Sequence, residues 1–273
     1  MIKDLLVVTD AIGDAAGPYA LSLAQTFGAA TTCVCVEPEG GSEDFALAEV
    51  RYDLVVSARE EALAVAREAA ANFAYAAKTR DVAVETDTLR DSPGVVRNRL
   101  LDLARTHDLA IIEQSGTRRE KPADVFLEDL LLGSGRPTIV VPKDWSPSAR
   151  FDAVTVAWDG SAPAARAVAD ALPLLLRARR VNVVTVQTEA VAGVSERSHR
   201  LTTHLARHGI DAGYRATFSA TSVVETVLGE VAQSGSDLLI MGAYGHSRLR
   251  ELCLGGTSRD MLCRMTIPVM MSH

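Results

Sequence analysis

Short runs of consecutive apolar residues alternate along this chain with longer stretches whose apolar positions recur at helical spacing. Leu5–Asp10 (LLVVTD) is one such run, and Val154–Asp159 (VTVAWD) repeats its shape 149 positions later. Each is followed by an Ala-rich stretch with the spacing of a helix, 15–27 in the first case and 162–179 in the second. A second β-like run follows each, Thr32–Val36 (TCVCV) and Asn182–Val186 (NVVTV). A third pair is Leu109–Ile112 (LAII) and Leu238–Met241 (LLIM), preceded by Asp108 and Asp237. Both halves close on a Pro-bearing apolar run, Pro137–Val141 and Ile267–Met271. The same order of elements twice in one chain argues for tandem duplication.

Strands that are apolar throughout are expected when helices cover both faces of a sheet. Their alternation with amphipathic stretches gives βαβ units, hence parallel sheets with right-handed crossovers. The fold predicted is α/β, two tandem doubly wound domains over residues 1–145 and 150–273, joined by the proline- and serine-rich Pro142–Arg150. Residues 44–80 carry few helix breakers and many Ala, Glu and Arg, which predicts one long surface helix. His199–His208 falls in the equivalent, shorter helix of the second copy.

Composition narrows the function classes. At 273 residues with 48% hydrophobic and 23% charged, the chain has the balance of a globular protein with an ample core. The net charge of −7, with basic residues dispersed among acidic ones, gives no footprint for nucleic acid or an anionic membrane. No apolar run reaches the roughly 18 residues that cross a bilayer. The start MIKDLLVVTD lacks the pattern of a signal peptide, and four cysteines make no disulfide scaffold, so a cytoplasmic location is expected.

In open α/β sheets ligands bind beyond the carboxyl ends of the strands, where strand order reverses. In the second copy, Asp159-Gly160-Ser161 follows the first strand. After the fourth come Gly242-Ala243-Tyr244-Gly245, nine residues, then Gly255-Gly256-Thr257-Ser258 before a helix starting near Arg259. Thr257 and Ser258 suit an N-cap, and the helix start supplies an anion site through its N–H groups and dipole. A G-x-x-G-x9-G loop between strand and helix is the context a phosphate loop requires. It is not Walker A, having no Gly-Lys-Ser/Thr, nor the G-x-G-x-x-G of dinucleotide folds.

These residues resemble the universal stress protein family, in its tandem two-domain form. The family motif is G-x-x-G, nine residues, then G followed by Ser or Thr. Gly242, Gly245 and Gly255 match it, whereas Gly256 stands where a hydroxyl is usual, with Thr257 and Ser258 just behind. The resemblance implies a five-stranded parallel sheet per domain and pairing of domains through their last strands. It also implies that Asp159 lies by the adenosine, that Val186 or Gln187 borders the base through its backbone, and that Met241 shares the cleft. Mg²⁺ is expected with a triphosphate, linked through Asp159.

The first copy departs from this pattern. Asp10 remains, but Ala11 and Ile12 replace Gly-Ser, Glu113 stands in the place of Gly242, and 118–125 contains no glycine. A carboxylate where phosphate oxygens approach is repulsive, so polyphosphate binding is expected to be lost there. The first copy then serves as a built-in partner for the second.

Among other polar groups, Arg248 in the loop is either a phosphate contact or a solvated arginine, and His246 has no partner that would make it a general base. His204 and His208, at i and i+4 with His199 near, read as solvated rather than as zinc ligands. Cys33, Cys35, Cys253 and Cys263 read as buried small hydrophobes. The function expected is binding of ATP or a related adenine nucleotide in the second copy, in stress response through binding or signalling, with weak ATP hydrolysis at most. The alternatives are a structural or interaction module that binds no nucleotide, which the Gly256 departure favours, and a very slow ATPase. Homodimerisation is left open beside pairing within the chain.

Overall fold

The computed structural model describes residues 1–9, 15–36, 52–115, 126–146, 148–187, 194–219, 222–243 and 256–273, with backbone alone at 52–59, 61, 62 and 194–198. Contacts divide the chain into two compact units, Met1–Arg136 and Pro137–His273. The first unit runs β1 (Asp4–Thr9), α1 (Ala16–Phe27), β2 (Ala30–Val36), α2 (Tyr52–Thr79), β3 (Val84–Leu89), α3 (Pro93–Thr106), β4 (Leu109–Glu113) and α4 (Leu127–Gly133). The second runs β5 (Thr138–Val141), β6 (Val154–Ala157), α5 (Ala162–Leu175), β7 (Val181–Gln187), α6 (Val194–Arg207), β8 (Ala212–Phe218), α7 (Val223–Ser234), β9 (Leu238–Gly242), α8 (Thr257–Arg264) and β10 (Val269–Ser272).

Strand order is β3-β2-β1-β4 in the first unit and β5-β10-β9-β6-β7-β8 in the second. Every pair is parallel apart from β5 with β10. This is the α/β, tandem, mostly parallel architecture expected from the repeat. By order β5 is the fifth strand of the first repeat. It falls in the second unit because it lies antiparallel to β10, the last strand of the second repeat.

The registers match between repeats. Val7 sits between Cys33 and Ile111, and Val156 sits between Val183 and Ile240. Leu5, Leu6, Val7 and Val8 are fully buried, as are Leu238, Leu239 and Ile240. At about 1.5–3 kcal/mol for each large apolar side chain buried, these central strands are the main source of cohesion.

The aspartate before each fourth strand has the same task. Asp108 Oδ2 accepts the N–H groups of Lys3 (2.7 Å) and Asp4 (3.2 Å), at the entry to β1. Asp237 Oδ2 accepts the N–H of Asp152 (2.8 Å), just before β6. Burial, reinforced by the nearby Asp152 charge, raises the Asp237 carboxyl above its ordinary pKa despite those backbone donors.

Several elements differ from the sequence expectation. Helix α2 is described from Tyr52, and 44–51 lie outside the described residues. α8 begins at Thr257 with Gly256 as its N-cap, so Thr257 and Ser258 lie in the first turn rather than at the cap. The extended ψ of 148° at Gly256 marks the entry. Cys33 and Cys35 are buried as expected, but Cys263 is exposed, because it lies on the side of α8 opposite buried Met261 and Leu262. Cys253 lies outside the described residues. His208 follows the last residue of α6.

Candidate functional site

The chain leaves β6 through α5 to reach β7 on one flank, while β9 lies on the other. The carboxyl ends of β6 and β9 are therefore where strand order reverses, and a crevice is expected between the segments that follow them. Asp159, Gly160 and Ser161 stand at this point. Asp159 Oδ1 accepts the Ser161 N–H at 2.8 Å, closing a turn that Gly160 completes at φ +77°. Ser161 is the N-cap of α5, its Oγ accepting the Ala164 N–H at 3.2 Å. The turn fixes an exposed Asp159 whose Oδ2 has no partner among the described residues.

Trp158, immediately before it, is half-buried and gives its backbone N–H to the Val184 carbonyl at 2.8 Å. Its indole Nε1 is buried without a hydrogen-bond partner among the described residues. The other flank carries Val186 and Gln187, both half-buried at the end of β7. The Gln187 carbonyl already accepts the Ser219 N–H at 2.8 Å, so its backbone oxygen is engaged within the protein.

At the end of β9, Met241 is 7% exposed and belongs to the core. Gly242 has a steric reason to be glycine. A Cβ there would lie 2.5 Å from the Ala164 backbone nitrogen and 2.7 Å from the Pro163 carbonyl carbon. The strand end thus abuts the first turn of α5, and the first glycine of the G-x-x-G motif is demanded by packing. Ala243 holds the loop entry, donating its N–H to Ser272 O (2.8 Å) while His273 Nδ1 lies 3.0 Å from its carbonyl. Gly245, His246, Arg248 and Gly255 lie outside the described residues.

Gly256 is the N-cap of α8, and no side chain among the described residues caps this helix. Thr257 is exposed and Ser258 is 3% exposed. Arg264, in the last turn, bonds Glu225 on α7 at 2.8 Å and ties the helix to its neighbour. The structure therefore brings Asp159–Ser161 and Gly242 together at the start of α5. It leaves the side chain of Met241 in the core.

The first repeat solves the same position differently. Glu113, at the end of β4, is 8% exposed, and its Oε2 accepts the N–H of Ala15 at 2.7 Å. Ala15 is the N-cap of α1. The strand end that packs as a glycine against α5 in the second repeat here carries a carboxylate that satisfies the helix start of its own unit. Sequence reasoning marked Glu113 as repulsive to phosphate; its bond to Ala15 was missed, since nothing in the spacing pairs the two. Asp10, Ala11, Ile12 and 116–125 lie outside the described residues.

Among the described residues no group of three or more His, Cys, Asp or Glu is placed to hold a metal ion. His204 and His208 meet edge to face, with ring centroids 4.7 Å apart. No helix among the described residues is long and apolar enough to cross a membrane.

No family model matches the chain. A curated universal stress protein of Synechocystis is 25% identical to it over 198 residues, covering 68% of this chain and 65% of its own length. The matched region is thus less than two thirds of that relative. A universal stress protein structure from Archaeoglobus fulgidus superposes with a TM-score of 0.72 at 15% identity, covering 98% of this chain and 95% of its own. A protein of unknown function from Pseudomonas aeruginosa does so with a TM-score of 0.58 at 14% identity, covering 99% and 92%. At these identities the likeness to solved structures establishes the fold, and it spans both repeats.

Proposed function

We propose that this chain, which is similar to the universal stress proteins in sequence and has their tandem two-domain fold, binds ATP or a related adenine nucleotide in its second repeat. It acts in the cytoplasm by binding or signalling in stress response. The observation that carries this reading is the pair of segments at the carboxyl ends of β6 and β9. Asp159 is held exposed in a hydrogen-bonded turn, its Oδ2 without a partner among the described residues. α8 then opens on a glycine with no side-chain cap among the described residues, at the far end of a G-x-x-G-x9-G sequence.

In this reading the N–H groups of the Gly245–Ser258 stretch cradle the phosphates, with Gly255, Gly256, Thr257 and Ser258 at the helix start. Arg248 adds a cation from the loop, and His246 lines it. Asp159 Oδ2 meets a ribose hydroxyl or a Mg²⁺ carried by the phosphates, with Gly160 and Ser161 shaping the turn beneath. Val186 and Gln187 border the base at the carboxyl end of β7, where the Gln187 carbonyl already accepts one hydrogen bond. Met241 and Gly242 form the floor. The Glu113–Ala15 bond supports a single nucleotide per chain, because an anion would have to displace a buried carboxylate in the first repeat. With no P-loop lysine in the sequence and no partnered base among the described residues of this site, the chain's own residues offer binding and orientation rather than rapid hydrolysis.

A second reading has one observation in its favour: Gly242 is required by Pro163 and Ala164 whether or not a ligand is present. In that reading the crevice is a surface for interaction alone. Calorimetric titration of the full chain with ATP–Mg, beside Gly245→Glu, separates the two. Saturable heat in the parent and none in the variant supports the nucleotide site. Equal heats, or none in either, remove it.

A further inference from the structure

A second cleft lies in the other half of the same sheet, away from the proposed nucleotide site. It has a volume of about 380 Å³ and is walled by Arg180, Asn182, Gly213, Arg215, Glu230 and Gln233, with Val184 in its floor. Arg180 directly precedes β7, Gly213 is the second residue of β8, and Gln233 lies in the last turn of α7. The cleft is therefore near the amino ends of the strands, on the face that α7 covers. Asp159 and Gln187 sit at their carboxyl ends.

Four features of the lining point to a ligand. Asn182 is half-buried on a strand otherwise rich in valine, and its amide makes no hydrogen bond among the described residues. Beside it in register stands Gly213. That glycine is in a strand interior with no positive φ, and a Cβ there would meet Asn182 Oδ1 at an ordinary 3.7 Å. Neither conformation nor crowding requires a glycine, although one weakens a strand; such a position suits the close approach of a bound molecule.

Charge supplies the other two features. Glu230 is fully engaged, Oε2 with Arg215 Nη1 at 3.1 Å and Oε1 with Thr217 Oγ1 at 2.9 Å, and Gln233 Oε1 holds the same Arg215 nitrogen at 3.2 Å. That pair is neutral. Arg180 gives one N–H to the Ser234 carbonyl at 3.3 Å and has no carboxylate partner among the described residues. The lining thus carries one uncompensated positive charge beside an unused amide and an apolar floor.

We propose that this cleft binds a small organic monocarboxylate. Its carboxylate lies between the Arg180 guanidinium and the Asn182 amide, and its apolar part lies over Gly213 and Val184. One negative charge matches the net charge of the walls. An ammonium group finds no uncompensated carboxylate in the walls, because Glu230 is paired with Arg215. Fluorine NMR of the full chain with 4-fluorobenzoate as probe tests this. The expected result is saturable binding at one site per chain, weakened about tenfold by Arg180→Ala, the loss of one charge-assisted hydrogen bond. Asn182→Ala weakens it less. Gly213→Val, a change favourable to a strand, abolishes it by filling the cleft. No saturable binding, binding unchanged in all three folded variants, or displacement of the probe by inorganic phosphate as readily as by unlabelled benzoate overturns the proposal.

Discussion

Replacing Glu113 by alanine tests whether the first repeat is closed by its own carboxylate. The side chain is 8% exposed, and its Oε2 accepts the Ala15 N–H at 2.7 Å, so the bond is short, charge-assisted and shielded from water. A hydrogen bond to a charged group contributes roughly 1.5–3 kcal/mol net. Its carboxylate also faces the positive end of α1, worth about 0.3–1 kcal/mol more. Relief from burying a charge offsets part of this, so a loss of about 2 kcal/mol is expected. For a unit of this size that lowers the melting temperature by roughly 6 °C. Glu113→Gln keeps an acceptor oxygen without the charge and falls between parent and Glu113→Ala. Urea titration at pH 7, followed by circular dichroism, reads all three. A Glu113→Ala change under about 0.5 kcal/mol, within the range of ordinary surface substitutions, refutes the reasoning.

Four further outcomes follow from particular contacts. Gly242→Ala forces a Cβ to within 2.5 Å of the Ala164 nitrogen, and costs about 1–3 kcal/mol as overpacking; denaturation indistinguishable from the parent contradicts this. Ser161→Ala removes the cap on Ala164 N–H and costs about 1 kcal/mol, read by the same titration. The folded-state pKa of Asp237 is raised, so its contribution is most favourable at low pH and is lost as pH rises above the ordinary value of 3.8. Asp237→Asn keeps an acceptor for Asp152 and flattens that part of the stability–pH curve; parallel curves for parent and variant reject it. Cys263 reacts with a thiol reagent in the native protein while Cys33 and Cys35 wait for unfolding, so equal protection of Cys263 overturns its exposed placement.

The elements most legible in the sequence are those with one environment along their length. β1, β4, β6 and β9 are covered on both faces, so they read as continuous apolar runs and their repeat is visible. β3 (VETDTL) and β8 (AGYRATF) end the strand order in their units and are half-exposed, and their mixed polarity left no comparable signal. The loop glycines stood out, but spacing could not distinguish a glycine needed for a ligand from Gly242, which is needed because Pro163 and Ala164 come close only after folding. For the same reason Glu113 was legible as a change of charge and not as a partner of Ala15, 98 positions away. The start of α8 was misjudged by two residues because Thr257 and Ser258 are good caps by type, while the extended backbone falls on Gly256.

The proposed function requires that one adenine nucleotide binds, and that it binds in the second repeat. The chain has two tryptophans, so Trp145→Phe leaves Trp158, next to Asp159, as the only indole. Titrating that variant with ATP–Mg, by fluorescence and by equilibrium dialysis, reports proximity and stoichiometry together. The account predicts a saturable change in Trp158 emission, one nucleotide per chain, and loss of both on Asp159→Ala but not on Asp10→Ala. Two nucleotides per chain, binding that survives Asp159→Ala and fails with Asp10→Ala, or no binding at all would contradict it.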